Sequence, residues 1–418
     1  MNPREWLLES FTAAVKAADP AHIVAQHLPH PTKGRTLVIG AGKAAAAMAQ
    51  AVENHWPSAA PFEGIVVTRY GHALPTRKIK VVEAGHPVPD EQGMQAARII
   101  LEEAGKLTAD DLLLCLFSGG GSSLLALPLP GIALQDLQSI TRQLLRCGAS
   151  IQEINTVRKH LSAILGGRLA AACRAPIRAL IVSDVTGDAA THIASGPCAP
   201  DPTTCAAAIN ILNRYRLDVP LSIQQVLQAN NDTPKPGASV FRTVENRIIA
   251  NSHQSLTAAA DYFRSRNIDT LILGDSVTGE AREIAKSYAA LAKEIYQYPR
   301  TLQAPIALLS GGETTVTVLG GGKGGRNAEF LLSLAIALDG QANTYAIACD
   351  TDGIDGSEDN AGAVITPNTL IRAQQMGMNA DDYLTRNDAY TFFERLGDLV
   401  TTGPTRTNVN DYRAIVIF

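Results

Sequence analysis

Thr36-Leu-Val-Ile-Gly-Ala-Gly-Lys-Ala-Ala45 is a short apolar, partly β-branched run that breaks into a glycine turn and continues as an alanine-rich stretch to residue 55. It reads as strand, tight turn and helix, with the helix over 44–55. The same succession recurs after it. Gly64-Ile-Val-Val-Thr68, Asp111-Leu-Leu-Leu-Cys-Leu-Phe117 and Ala179-Leu-Ile-Val-Ser183 are further strands, the last two almost wholly apolar. Continuous apolar runs suit strands buried on both faces, as in a mainly parallel sheet covered by helices. Helical periodicity fills residues 92–105 and 151–173, and Trp6, Leu7, Phe11 and Val15 mark one face of one or two helices over 4–28.

At 418 residues the chain exceeds the size at which a single core stops growing, so two domains are expected. Asn230-Asn-Asp-Thr-Pro-Lys-Pro-Gly237 is rich in turn formers and reads as the linker, which gives domains over 1–235 and 236–418. Beyond it, strands are expected near 245–250, 269–274, 305–310, 344–349 and 412–418, with helices over 253–265, 279–297, 327–338 and within 367–395. Ile306-Ala-Leu-Leu309 and Thr314-Thr-Val-Thr-Val-Leu319 flank Ser310-Gly-Gly312 and suggest a hairpin, hence a mixed second sheet. The fold class is α/β.

A net charge of −4, with 36 basic residues and no long basic run, argues against nucleic acid or anionic membrane as a partner. No apolar stretch is long enough to span a bilayer, and the N-terminus lacks a signal-peptide core. The six cysteines form no C-x-x-C pair and are expected to be reduced, in a cytoplasmic protein.

The chemistry-bearing residues follow the strands. Gly40-Ala-Gly-Lys43, Ser118-Gly-Gly-Gly-Ser-Ser123, Ser183-Asp-Val-Thr-Gly-Asp188, Ser310-Gly-Gly-Glu313 and Asp350-Thr-Asp-Gly-Ile-Asp355 all stand where open α/β sheets bind ligands. Glycine lets backbone N–H groups converge on an anion, and a following helix adds its positive end. Any single such loop reads more readily as a plain turn; five, with a lysine, hydroxyls and carboxylates, read as phosphate chemistry. Gly40-Ala-Gly-Lys-Ala-Ala45 also fits a dinucleotide fingerprint, but the second strand ends at Arg69 where an acidic residue should hold the ribose; Arg69 suits an NADP 2′-phosphate. A Walker A loop is absent, since Gly320-Gly-Gly-Lys-Gly-Gly325 lacks Ser or Thr after its lysine. Arg326, at a helix start, suits a carboxylate or phosphate, with pairing to Glu329 as the bland alternative. Asp184 and Asp188 suit Mg²⁺ or simple capping. His86 and His192 read as loop hydrogen-bonders with an acid–base role as the alternative. The helix Asn155-Thr-Val-Arg-Lys-His160 is expected to bury Ile154, Val157 and Leu161 and to expose its basic residues, with Arg158 and Lys159 facing either the cleft or solvent.

Taken together, Gly40-Ala-Gly-Lys-Ala-Ala45, His86-Pro-Val-Pro-Asp90, Ser118-Gly-Gly-Gly-Ser122, Asn155-Thr-Val-Arg-Lys-His-Leu-Ser162, Ser183-Asp-Val-Thr-Gly-Asp188 and Ile193-Ala-Ser-Gly-Pro197 resemble the N-terminal domain of class II glycerate 2-kinases. Ser310-Gly-Gly-Glu-Thr-Thr-Val316, Gly324-Gly-Arg-Asn-Ala-Glu-Phe330, Asp350-Thr-Asp-Gly-Ile-Asp-Gly356 and Thr402-Gly-Pro-Thr-Arg-Thr-Asn-Val409 resemble that family's C-terminal MOFRL domain. The resemblance implies two Rossmann-like domains with an interdomain cleft, and ATP- and Mg²⁺-dependent conversion of D-glycerate to 2-phosphoglycerate. It implies Lys43 and Arg326 as the catalytic pair, flanking the γ-phosphoryl from opposite domains. The implied substrate- and phosphate-binding set is Gly40, Gly42, Ser118, Gly119, Gly120, Gly121, Ser122, Ser195, Gly196, Gly311, Gly312, Glu313 and Asn408, with Asp184 and Asp188 (or Glu313) for Mg²⁺. D-glycerate and a nucleotide are then the partners, with a homodimer left open. Two positions depart from the family pattern: Cys198, usually threonine, and Arg406, usually glycine. The rival readings are an NADPH-dependent hydroxypyruvate reductase, resting on Gly40–Ala45 and Arg69, and a non-catalytic sensor of a phosphorylated metabolite.

Overall fold

The computed structural model describes residues 2–298 and 302–418, which form two compact units: Pro20–Ile249, and a second made of Ala250–Phe418 together with the residues up to Asp19. In the first, six strands form one sheet: β1 (Thr36–Ala41), β2 (Phe62–Arg69), β3 (Ile79–Ala84), β4 (Leu112–Phe117), β5 (Ile177–Val182) and β6 (Val244–Ala250), in the order β3-β2-β1-β4-β5-β6. The β2–β3, β1–β2, β1–β4 and β4–β5 pairs are parallel. Alternate residues of the central strands serve opposite faces. Leu37, Ile39, Leu113, Cys115, Phe117 and Ile181 enter one core while Val38, Leu114, Leu116 and Leu180 are buried on the other side. The chain runs outward from β1 to β3 and returns on the far side of β1 as β4. The order therefore reverses between β1 and β4, and the loops leaving their carboxyl ends open a crevice there.

The second unit contains β7 (Asp269–Gly274), β8 (Thr278–Glu280), β9 (Ile306–Ser310), β10 (Glu313–Thr315), β11 (Thr344–Asp350), β12 (Gly362–Ile365), β13 (Leu399–Val400) and β14 (Asp411–Ile417). Six of them form a sheet in the order β13-β12-β11-β14-β9-β7, while β8 and β10 make a separate parallel pair. Only β7–β9 is parallel in the large sheet; its other pairs are antiparallel, so the sheet is mixed. Ile306 and Leu308 face a core with the helices Ala281–Gln297 and Arg326–Leu338, and Ala307 and Leu309 face one with Pro3–Ala17 and Ser252–Arg264.

Four expectations are corrected. The hairpin over 306–319 does not form, because β9 already has β14 and β7 on its two edges; Gly312, at φ +99°, turns the chain out to pair with β8 instead. The helix over 151–173 is two, Ile151–Leu161 and Arg168–Ala172, split at Gly166 and Gly167, which both have positive φ. Residues 230–237 are a packed segment and not a free linker: Thr233 Oγ1 donates to Asp201 Oδ2 at 2.9 Å and Asp232 Oδ1 accepts from Cys205 N at 2.7 Å. The chain consequently divides at Ile249 and not at 235, the 245–250 strand joins the first sheet as β6, and helix Pro3–Ala17 belongs to the second unit. Among the described residues no helix is long and apolar enough to cross a membrane, and all six cysteines are free.

Candidate active site

The loops after β1 and β4 are stitched together. A Cβ on Gly42 (φ +135°) would sit 2.1 Å from Ser118 Oγ, so only glycine lets the two loops close. Lys43 N donates to Gly119 O at 2.9 Å, Ala44 N to Ser118 Oγ at 3.0 Å, Gly42 N to Val67 O at 3.1 Å and Ala45 N to Gly42 O at 3.2 Å. The amides of residues 42–45 are thus spent inside the protein. Gly40 and Gly42 serve close packing, and this loop offers an anion the Lys43 side chain and the start of helix Ala45–His55. Among the described residues, the N–H groups of Gly119, Gly120 and Ser122 make no hydrogen bond to the protein. Of the two loops, the one after β4 is the amide cradle.

Gly120 (φ +81°) borders His86 and Lys43. A Cβ there would lie 2.9 Å from His86 Nε2 and 3.7 Å from Lys43 Cγ. Gly121 packs on Ala194 so closely that a Cβ would come within 2.6 Å of the alanine methyl. Ala194, Ser195 and Gly196 follow one another at φ +49°, +55° and +57°. Two non-glycine residues held left-handed in succession store strain of order 1–2 kcal/mol each, and here they aim Ser195 Oγ at Ser122 Oγ, 2.7 Å away. Asp184 and half-buried Asp188 (φ +54°) stand on the loop after β5, the strand beside β4. Their hard oxygen donors fit Mg²⁺, which takes few protein ligands. The one cluster of three possible ligands among the described residues, His160, Cys205 and Asp232, is soft and unsuited to that ion.

In the second unit Arg326 opens helix Arg326–Leu338 and spends its guanidinium on three carboxylates: Nε on Asp411 at 2.8 Å, Nη2 on Asp350 at 2.7 Å and Nη1 on Glu313 at 3.3 Å. Burial alone would lower its pKa, but Asp411, Asp350 and Glu313 outweigh burial and raise it. The alternative partner Glu329 is engaged elsewhere, accepting from Arg282 Nε at 2.8 Å and Asn387 Nδ2 at 2.9 Å. Buried Asp355 caps the same helix by accepting from Asn327 N at 3.0 Å and Ala328 N at 2.8 Å; burial pushes its pKa up to about 6. The loop after β9 is no cradle. Gly311 N and Glu313 N donate to Gly274 O and Val277 O, and a Cβ on Gly312 would strike Val277 O at 2.2 Å. Asn408 is buried before β14 and accepts from Asn410 N at 3.2 Å. Arg406 has φ +65°, the left-handed backbone for which glycine is the natural residue.

Sequence reasoning misjudged the helix Ile151–Leu161. Lys159 is fully buried and donates to Asp201 Oδ1 at 3.2 Å and Thr191 Oγ1 at 3.0 Å; His160 is also buried, and Arg158 is half-buried. Asp201 lies far along the chain, and no local signal announced it. Cys198 packs its sulfur 3.8 Å from that of Cys115 in the apolar core beneath the Ser195 turn.

The model of a domain of unknown function, DUF4147, matches residues 6–228, and that of the MOFRL family matches residues 306–411. A provisionally named hydroxypyruvate reductase of Agrobacterium vitis is 49% identical over 420 residues, covering 100% of this chain and 95% of that protein. The D-glycerate 2-kinase of Thermotoga maritima is 40% identical over 406 residues, covering 97% of this chain and 96% of its own. The crystal structure of a Thermotoga maritima glycerate kinase superposes with a TM-score of 0.90 at 39% identity over 99% of both chains. Full-length similarity of this order, together with a family model that spans more than half of the sequence, means that the chain belongs to the glycerate 2-kinase family, in which a DUF4147 domain precedes a MOFRL domain.

Proposed function

We propose that this protein is a D-glycerate 2-kinase, transferring the γ-phosphoryl group of ATP to the 2-hydroxyl of D-glycerate with Mg²⁺ as the metal. The observation that carries the reading is the Ser118–Ser122 loop, with its unspent amides at the β1/β4 reversal beside the side chain of Lys43. Phosphoryl transfer asks a protein for positioning and charge neutralisation more than for a strong base. Gly119, Gly120 and Ser122 N–H groups hold phosphoryl oxygens, and the Lys43 ammonium offsets the charge that shifts as the bond to the leaving ADP oxygen lengthens. Bound Mg²⁺ supplies charge neutralisation on the nucleotide phosphates, with Asp184 and Asp188 as its protein ligands. In the second unit Arg326 is the cation suited to an anionic ligand, and Nη1 is the arm it can offer, because that arm's partner, Glu313, is its longest and most exposed contact.

The dinucleotide reading is weaker on physical grounds. A pyrophosphate needs the amides after β1, and those of Gly42 to Ala45 are already bonded. The deciding experiment incubates the protein with D-glycerate and Mg·ATP and identifies the phosphorylated carbon, while NADPH oxidation by hydroxypyruvate is followed in parallel. 2-Phosphoglycerate is the expected product; hydroxypyruvate reduction without phosphoryl transfer would overturn the proposal. Lys43→Ala is expected to lower kcat by about 10²–10³-fold with native circular dichroism.

A further inference from the structure

Resting on the kinase reading, we infer that Arg158 is the carboxylate anchor of the substrate and so fixes which hydroxyl is phosphorylated. Helix Ile151–Leu161 gives Ile154, Val157 and Leu161 to an apolar core and Lys159 to Asp201. Asn155 and Arg158, spaced i and i+3, lie along the remaining face, and Ser162 follows at the helix's C-cap. Arg158 and Ser162 share the wall of a cavity of about 20 Å³ with Ser122, Ser123 and Thr141. Ser122 is the residue that also offers an unspent amide and holds Ser195 Oγ.

Arg158 is half-buried and, among the described residues, has neither hydrogen bond nor ion pair; burial with no opposing charge pulls its pKa down to about 10. Its neighbours carry unmet polar atoms as well. Asn155 Oδ1 and His192 Nδ1 are buried without partners, although Asn155 Nδ2 donates to His192 O at 3.4 Å. A desolvated, unpaired guanidinium is costly in the free protein, and an anion that completes its planar fork removes that cost.

Size and chemistry choose the anion. The cavity is close to the size of one water molecule, so it takes no more than the tip of a small acid and is far too small for a nucleotide, and leucine and alanine side chains make up much of its wall. In a 2-hydroxy acid the carboxylate and the reacting oxygen sit on adjacent carbons. An acid held by Arg158 and Ser122 therefore presents its 2-hydroxyl toward the Gly119–Gly120 amides and leaves its 3-hydroxyl farther off. The same site should reject neutral polyols.

The test compares wild type with Arg158→Met, which keeps the apolar stem, and Arg158→Lys, which keeps charge without the fork. In Arg158→Met, KM for D-glycerate should rise about 100-fold while KM for ATP stays within about twofold. Arg158→Lys should fall between, and the preference for D-glycerate over neutral D-glyceramide should collapse by the same factor as KM rises. An unchanged KM for glycerate and an unchanged amide ratio overturn the inference, as does an effect on ATP instead. If wild type fails to phosphorylate D-glycerate, the kinase reading falls by itself. Calorimetric titration of D-glycerate into wild type and Arg158→Met then decides the anchor separately: tighter binding by wild type supports it, and equal binding or none overturns it.

Discussion

Gly120 shows how much chemistry a missing methyl can hold, since a Cβ at its φ of +81° would press on His86 and touch Lys43. Gly120→Ala should lower kcat/KM by about 10²-fold through displacement of His86 and of the loop itself, with a modest shift in the melting temperature. Steady-state kinetics beside a thermal melt checks this, and unaltered kinetics would remove Gly120 from the site. Lys159 belongs to stability instead: Lys159→Ala leaves Asp201 as a buried, uncompensated carboxylate and should cost about 3–5 kcal/mol in urea unfolding. The sequence offered Gly120 as a candidate site residue and placed Lys159 on an exposed face, where the structure buries it. A glycine after an apolar strand is a local signal. A buried ion pair spanning Lys159 to Asp201 is not, because nothing in either neighbourhood names the partner.

The helix Arg326–Leu338 is the element on which charge and pH meet. Its cap, Asp355, has its pKa raised from 3.8 to about 6 by burial, so between these values the folded state binds more protons than the unfolded one. Its contribution is therefore greatest at low pH and is lost as pH rises through about 6. Asp201, Asp111 and Glu53, whose pKa values are lowered, pull the opposite way in wild type and variant alike. Relative to wild type, Asp355→Asn should gain about 2–3 kcal/mol on going from pH 4 to pH 7. Urea midpoints at the two pH values give the answer, and parallel changes in both proteins would refute it. The helix was readable from its apolar periodicity. The hairpin at 306–319 misled because β-rich runs around a glycine turn announce extended chain but not its neighbour, and both edges of β9 are taken by strands remote in sequence.

Over the whole molecule, the N-terminal helix Pro3–Ala17 crosses from one end of the chain to the other half. Leu7 and Phe11 pack with Phe263 and Tyr412, Tyr412 Oη donates to Ser10 Oγ at 2.8 Å, and Arg4 pairs with Asp398 at 2.8 Å. Phe11→Ala should destabilise the Ala250–Phe418 unit by about 3–5 kcal/mol and leave Pro20–Ile249 unaffected, so denaturant unfolding should separate into two transitions. A single transition moved as one would refute this. By itself the sequence determined the α/β class, most strands and helices and the glycine loops at strand ends, because periodicity and turn chemistry act over a few residues; it named Lys43, Ser118–Ser122 and Arg326 as candidates. Only the tertiary structure decided that β6 joins the first sheet, that the first helix joins the second unit, that three carboxylates clasp Arg326, and that the loop after β4 keeps its amides while that after β1 spends them. Those outcomes depend on which distant groups are brought within hydrogen-bonding reach, and a linear pattern carries no distances.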